Sequence, residues 1–192
     1  MATDLAHFEL DREKTVLLVV DVQEKLVPNL PQQVYLRTLA NIRFLTDCAR
    51  QLGVPVMVTE QYPKGLGHTV SELKAVDDEK TFAKVSFSCC GEPSFMEHLQ
   101  GLKRSQVLVT GMEAHVCVYQ TVLGLLGLGL QPHLVRDAVI SRGKVDYLNA
   151  LELARAAGAT VTTAETALFQ LMRSSAIPEF KAISALLKER TP

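Results

Sequence analysis

Two apolar patterns alternate along the chain. Thr15 to Val20 (TVLLVV) is an unbroken β-branched and aliphatic run that stops at Asp21. Such a run predicts a strand buried on both faces. From about Gln33 to Leu52 the spacing becomes helical, with Leu36, Leu39, Ile42, Phe44, Leu45 and Cys48 on the apolar side, Pro31 ahead and Gly53 behind. Val54 to Thr59 predicts a second strand with its proline confined to the start, and Glu60 to Gly67 is rich in turn residues. Further strands are predicted over Thr81 to Val85, Gln106 to Thr110, His133 to Val135 and Ala159 to Thr163. Helices are predicted over Ser94 to Leu102 (opened by Pro93), Ala114 to Leu128, Lys144 to Ala157, Glu165 to Met172, and from near Pro178 to about Lys188.

Strands separated by helices predict an α/β protein: a three-layer (αβα) Rossmann-like fold around a six-stranded, mostly parallel sheet. No repeat, low-complexity stretch or linker divides the chain, so residues 1–192 read as one domain. Ligands of such sheets bind beyond the carboxyl ends of the strands, where the strand order reverses. Asp21, Lys84 and Cys117 all fall at or just past strand ends.

Composition narrows the function classes. Of 192 residues, 47% are hydrophobic and 21% charged, which suits a packed core and not a disordered chain. The formal net charge is −1 with no long run of one sign, so nucleic acid, which needs a basic patch or stripe, is not an expected partner. The longest apolar run, Val122 to Leu130, is far short of the ~18 residues of a membrane span and is broken by Gly124, Gly127 and Gly129, so no membrane association is expected. The start of the chain is mixed in charge and lacks the apolar stretch of a signal peptide, which makes the cytoplasm the default location. Cys48, Cys89, Cys90 and Cys117 show no C-x-x-C spacing, and the first three read as structural. Dinucleotide, P-loop, H-E-x-x-H and G-x-S-x-G motifs are absent, and no cofactor or metal is expected.

Cys117 sits in VLVTGMEAHVCVYQT, where a strand passes through a turn into an apolar helix. A thiol just inside a helix N-terminus faces amide N–H groups and the positive end of the dipole, which favour thiolate; a packed core thiol is the alternative. Asp21 is either a turn or capping residue or a base, and Lys84 either an edge lysine in water or a partner for a carboxylate. Together they form a workable set. Asp21 takes the Cys117 proton, Lys84 holds the carboxylate and biases the sulfur toward thiolate, and turn amides receive the oxyanion. The expected chemistry is acyl transfer to sulfur, loss of an amine, and hydrolysis of the thioester. His115 lies two residues before Cys117, a spacing that does not face it on a helix. Glu60, Gln61 and Tyr62, beyond the second strand, are candidates for lining the pocket. A binding protein on the same fold, and a redox-sensing thiol with Cys89 or Cys90 as partner, are the alternatives.

At these residues the chain resembles the isochorismatase-like cysteine hydrolase superfamily, over roughly residues 12 to 175. The resemblance rests on D-x-Q after the first strand (Asp21-Val22-Gln23), a lysine after the third strand region (Lys84), and a glycine-started turn ending in C-V-x-x-T (Gly111 to Thr121). It implies Asp21, Lys84 and Cys117 as a catalytic triad and Gln23 as a substrate-binding residue. It also implies a non-proline cis peptide between Met112 and Glu113 that aims the Glu113 and Cys117 amides at the substrate oxygen. Ala114 and His115 depart from the common T-D of that turn, and Leu26 replaces a frequent phenylalanine. Thr59-Glu60-Gln61-Tyr62-Pro63 stands where nicotinamidases carry a D-x-H metal motif, so a metal of that type is not implied. The stretch from Thr59 to Leu73 is similar to eukaryotic isochorismatase domain-containing proteins. Members are commonly homo-oligomers; the apolar C-terminal region is either an interface or an internal helix packing.

Overall fold

A computed structural model describes residues 5–73 and 80–190. Its centre is a sheet of six strands: β1 (Thr15–Val20), β2 (Val56–Gln61), β3 (Lys80–Lys84), β4 (Gln106–Met112), β5 (Gln131–Ile140) and β6 (Thr160–Thr162). All pair in parallel, in the order β3-β2-β1-β4-β5-β6. The helices are α1 (Gln32–Gln51), α2 (Pro63–Leu66), α3 (Pro93–Gly101), α4 (Tyr119–Gly127), α5 (Lys144–Ala156), α6 (Ala164–Met172) and α7 (Phe180–Glu189). None of them is long and apolar enough to cross a membrane.

The period-2 geometry of β1 explains its continuous apolar run. Leu17 and Val19 face one core with residues of α1, α6 and α7, while Val16, Leu18 and Val20 face the other with residues of α3, α4 and α5. Strand order reverses between β1 and β4. Because every strand runs the same way, all the carboxyl ends open on one side of the sheet.

Several elements depart from the sequence-based expectation. β2 begins at Val56 and runs on through Glu60 and Gln61, which pair with Ala83 and Lys84 of β3 and so belong to the sheet and not to a loop. β5 is ten residues long, not three. Arg136 and Asp137 masked it in the apolar pattern; a register shift opposite Val109 and Gly111 absorbs them. Asp137 then serves as an anchor: its carbonyl accepts from Asn41 of α1 (2.6 Å) and its carboxylate from the Ala164 N–H that starts α6 (2.8 Å). At the C-terminus Leu171 and Ile183 are buried, and Phe180, Leu186 and Leu187 pack on the α1 side of the core, while Phe169 stays exposed.

Candidate active site

β4 reaches past β1 to place the turn that carries Cys117. Gly111 sits there at φ +113, and a Cβ on it would lie 2.0 Å from the Val20 carbonyl oxygen. Only glycine combines that conformation with that approach. The Met112–Glu113 peptide that follows is cis. A π-helical turn, Ala114–Val118, then leads into α4, with the Val116 and Val118 N–H groups donating back to the Glu113 carbonyl at 3.1 and 3.3 Å. Cys117 lies in this turn, facing the sheet and 7% exposed.

Asp21 follows β1 in a left-handed conformation, φ +50. A non-glycine residue seldom occupies that region, and functional sites are where it recurs. Its side chain is fully buried. One oxygen, Oδ2, accepts from Lys84 Nζ at 2.7 Å, and the other, Oδ1, from Thr59 Oγ1 at 2.8 Å. The charges of Asp21 and Lys84 both act on the Cys117 thiol, the first raising it and the second lowering it. The three residues, remote in sequence, therefore meet at the β1/β4 switch point.

Lys84 comes from the edge strand, yet it is 2% exposed and points inward. Neighbouring strands lie ~4.8 Å apart, so a side chain from β3 needs a long stem to cross β2 and reach β1. Its ammonium donates to Asp21, to Gln61 Oε1 (2.8 Å), and to the carbonyls of Ser86 (3.2 Å) and Phe87 (3.0 Å). The charge is thus spent on internal partners. This alters one expectation. Burial pushes the Cys117 thiol up, the Asp21 carboxylate pushes it further, and the opposing pull of Lys84 is smaller. Lys84 faces Asp21 first, and its pull on the sulfur is outweighed by burial and by the carboxylate.

The other anticipated residues surround this centre. Gln23 is buried; its amide donates to the carbonyls of Gln61 (3.0 Å) and Gly67 (2.7 Å), and its oxygen accepts from the Gln61 N–H (2.8 Å). Gln61 bridges Lys84 and the Val85 carbonyl. Glu60 is held by the Thr69 N–H (2.6 Å), the Thr69 hydroxyl (2.9 Å) and His68 (3.1 Å). Burial alone would raise its carboxyl, but those donors outweigh it and the net direction is down. Tyr62, at φ +38, is exposed beside Lys84, whose carbonyl accepts the Tyr62 N–H. Glu113 pairs with Arg142 (3.2 Å), and His115 bonds Ser141 Oγ through Nδ1 (2.9 Å).

Sequence reasoning gave no role to the Thr59 and Thr121 side chains and read Cys89 as structural or as a redox partner of Cys117. Cys89 is sealed within a short 3-10 turn, Cys89–Gly91, where its N–H donates to Thr121 Oγ1 (2.9 Å) and its thiol to Thr59 Oγ1 (3.6 Å). The strand-end rule that drew attention to Asp21 applied equally to Thr59, which pairs with Val20 in the sheet.

The fold defines a class, three-layer α/β proteins of the isochorismatase-like type. The chain belongs to the Isochorismatase domain family, which matches residues 15–166. Among its relatives, isochorismatase domain-containing protein 2A of Mus musculus is 39% identical over 94% of this chain and 85% of that protein. The secreted isochorismatase effector Isc1 of Phytophthora sojae is 42% identical over 91% of this chain and 85% of its own length. Among solved structures, the MAR1 ribonuclease of Caenorhabditis elegans superposes with a TM-score of 0.89 at 39% identity, covering 96% of this chain and 94% of that one. YcaC of Pseudomonas aeruginosa, solved with hexane-2,5-diol and covalent acrylamide, gives 0.82 at 25% identity over 94% and 95%. The YcaC gene product of Escherichia coli, an octameric hydrolase of unknown specificity, shares the fold at 0.79 and 21% identity over 95% and 98%.

Proposed function

We propose that the protein is a cysteine hydrolase of small, neutral amide-like substrates, working through a thioester on Cys117. The observation that carries this reading is the buried Asp21 carboxylate, held on two sides by Lys84 and Thr59, with its charge felt by the Cys117 thiol. As sulfur attacks the substrate carbonyl carbon, its proton passes to Asp21. Amides of the turn at Glu113 and Cys117 receive the oxyanion. Collapse expels the amine, which takes the proton from Asp21. Water, deprotonated by the same carboxylate, then opens the thioester and frees the thiol. The upward push on the thiol suits this sequence, because proton transfer to Asp21 accompanies attack and does not have to precede it.

The commitment of Lys84 favours neutral substrates. Its ammonium already meets one carboxylate and three neutral oxygens, so it is not offered to a substrate anion. The Pseudomonas aeruginosa relative was solved with covalent acrylamide, a small neutral molecule that carries an amide group. Gln23, Glu60, Gln61 and Tyr62 are assigned to the surrounding wall: the first three hold its shape and Tyr62 stands at its rim. We extend the proposal to a cytoplasmic homo-oligomer acting on small molecules.

The test is the rate at which acrylamide or iodoacetamide modifies Cys117, read by peptide mass spectrometry, followed by amine release from a panel of small amides. Faster modification than a model thiol at pH 7, slowed by Asp21→Asn, supports the reading. A rate no faster than the model thiol, unmoved by Asp21→Asn, ends it. The name of the Caenorhabditis elegans relative supplies a second reading, RNA cleavage. Backbone recognition needs exposed cations, which the buried Lys84 and a formal net charge of −1 do not favour. Cleavage of a labelled oligoribonucleotide by the wild type but not by Cys117→Ala would replace the first reading with the second.

A further inference from the structure

We propose that Thr59 is a positioning residue for the Asp21 base, and that the buried Cys89 thiol fixes which way the Thr59 hydroxyl points. The inference rests on the hydrolase reading above, since it assigns a role to a residue acting through Asp21.

Thr59 grips Asp21 twice. Its carbonyl accepts the Asp21 N–H at 3.1 Å, and its hydroxyl donates to Oδ1 at 2.8 Å. The first bond ties down the backbone of a residue at φ +50. The second prevents rotation of the carboxylate. Lys84 holds only Oδ2, and a carboxylate anchored through a single oxygen can still turn about its terminal torsion, which is broad. With Thr59 on the other oxygen, the plane of the carboxylate beside Cys117 is set.

A hydroxyl has one hydrogen and two lone pairs. Cys89 Sγ lies 3.6 Å from Thr59 Oγ1 and donates into one of those lone pairs. The remaining hydrogen of Thr59 is then free to serve Asp21. Cys89 is held for this by its own N–H, which donates to Thr121 one turn after Cys117 on the same helical segment. Burial keeps its thiol protonated, pushing it up to about 12. Of the two thiols beside Asp21, the fully buried one is thus the donor to Thr59, and Cys117 is the one with some exposure to solvent.

The decisive experiment sets Thr59→Val against Thr59→Ser. Valine keeps the β-branched shape that a buried strand favours and loses the hydroxyl; serine does the reverse. Positioning predicts that Thr59→Val slows Cys117 modification by acrylamide about tenfold, the worth of one hydrogen bond to an ionised acceptor, while Thr59→Ser stays within about twofold. A packing role predicts the opposite order, with both rates tracking thermal stability. Cys89→Ser, which keeps a donor, should stay near wild type, and Cys89→Ala should lose about threefold. In an Asp21→Asn background, Thr59→Val should have no further effect; an undiminished tenfold loss there means that Thr59 does not act through Asp21 and overturns the inference. A crystal structure of Thr59→Val separates the two possible failures. A turned Asp21 carboxylate with unchanged thiol reactivity means that Asp21 does not act on the sulfur, and the hydrolase reading falls together with the inference that rests on it. An unmoved carboxylate with an unchanged rate overturns the role of Thr59 and leaves the hydrolase reading intact.

Discussion

The two ends of the sheet bury polar side chains at similar depth but provide for them differently. At the carboxyl end, Asp21, Gln23, Thr59, Gln61 and Lys84 are all buried and all bonded to one another or to nearby carbonyls. Toward the amino end, His133 in β5 is equally buried, and neither ring nitrogen finds a partner among the described residues. A buried polar group without partners costs stability, while a bonded network fixes geometry. The carboxyl end is organised to hold a carboxylate in one orientation; His133 sits near His7, and burial disfavours its charged form.

Breaking the carboxyl end at its closest contact should have the largest effect. Gly111→Ala forces a Cβ against the Val20 carbonyl at a positive φ, and should cost about 5 kcal/mol in denaturant unfolding. Lys84→Met comes next. It leaves the Asp21 carboxylate buried without its cation, which should cost about 3–5 kcal/mol, and Asp21→Asn added to it should restore part of the loss. Recovery in the double variant would show that the stranded charge, and not the lost lysine packing, is the cause.

The amino end offers a pH test of intermediate size. Burial, then nearby His7, lowers His133 from its ordinary 6.5 to about 4. Between those values the unfolded chain takes up a proton that the folded chain refuses. Its contribution to stability is therefore full above pH 6.5 and is lost as pH falls toward 4, by about 3 kcal/mol in total. Unfolding curves at pH 7 and pH 4.5, compared with those of His133→Leu, should show the leucine variant losing less. Equal losses would mean that His133 is solvated in the native state.

The smallest effect is expected at the site's margin. His115→Ala should change Cys117 modification by less than about threefold, since its ring is engaged with Ser141 and lies two residues from the sulfur, off its face. A tenfold loss would bring His115 into the proton path.

Much of the α/β alternation was legible in the linear pattern because burial on both faces of a parallel strand writes a continuous apolar run, and a helix writes its own period. β1, α1, α3, α5 and α6 lie within a few residues of expectation for that reason. β5 did not, because Arg136 and Asp137 interrupt the run while a register shift keeps the strand going. The triad candidates were visible as polar residues at strand ends, and the Asp21, Lys84 and Cys117 side chains do come together. Their electrostatic order was not visible. Whether Lys84 serves the sulfur or the carboxylate depends on distances between residues 33 or more apart in the chain.

The sequence by itself determined which segments are strands and helices, that they form parallel crossovers, and which few polar side chains stand at the mouth of the sheet. These follow from local periodicity and from the cost of burying unpaired polar groups. Only the tertiary structure decided that Lys84 spans β2 to reach Asp21, that Thr59 and Cys89 complete the carboxylate's surroundings, and that burial and the Asp21 charge push the Cys117 thiol up. Those outcomes depend on strand order and on separations of a few ångströms, over which hydrogen bonding and charge interaction change steeply, and nothing in a one-dimensional pattern encodes such separations.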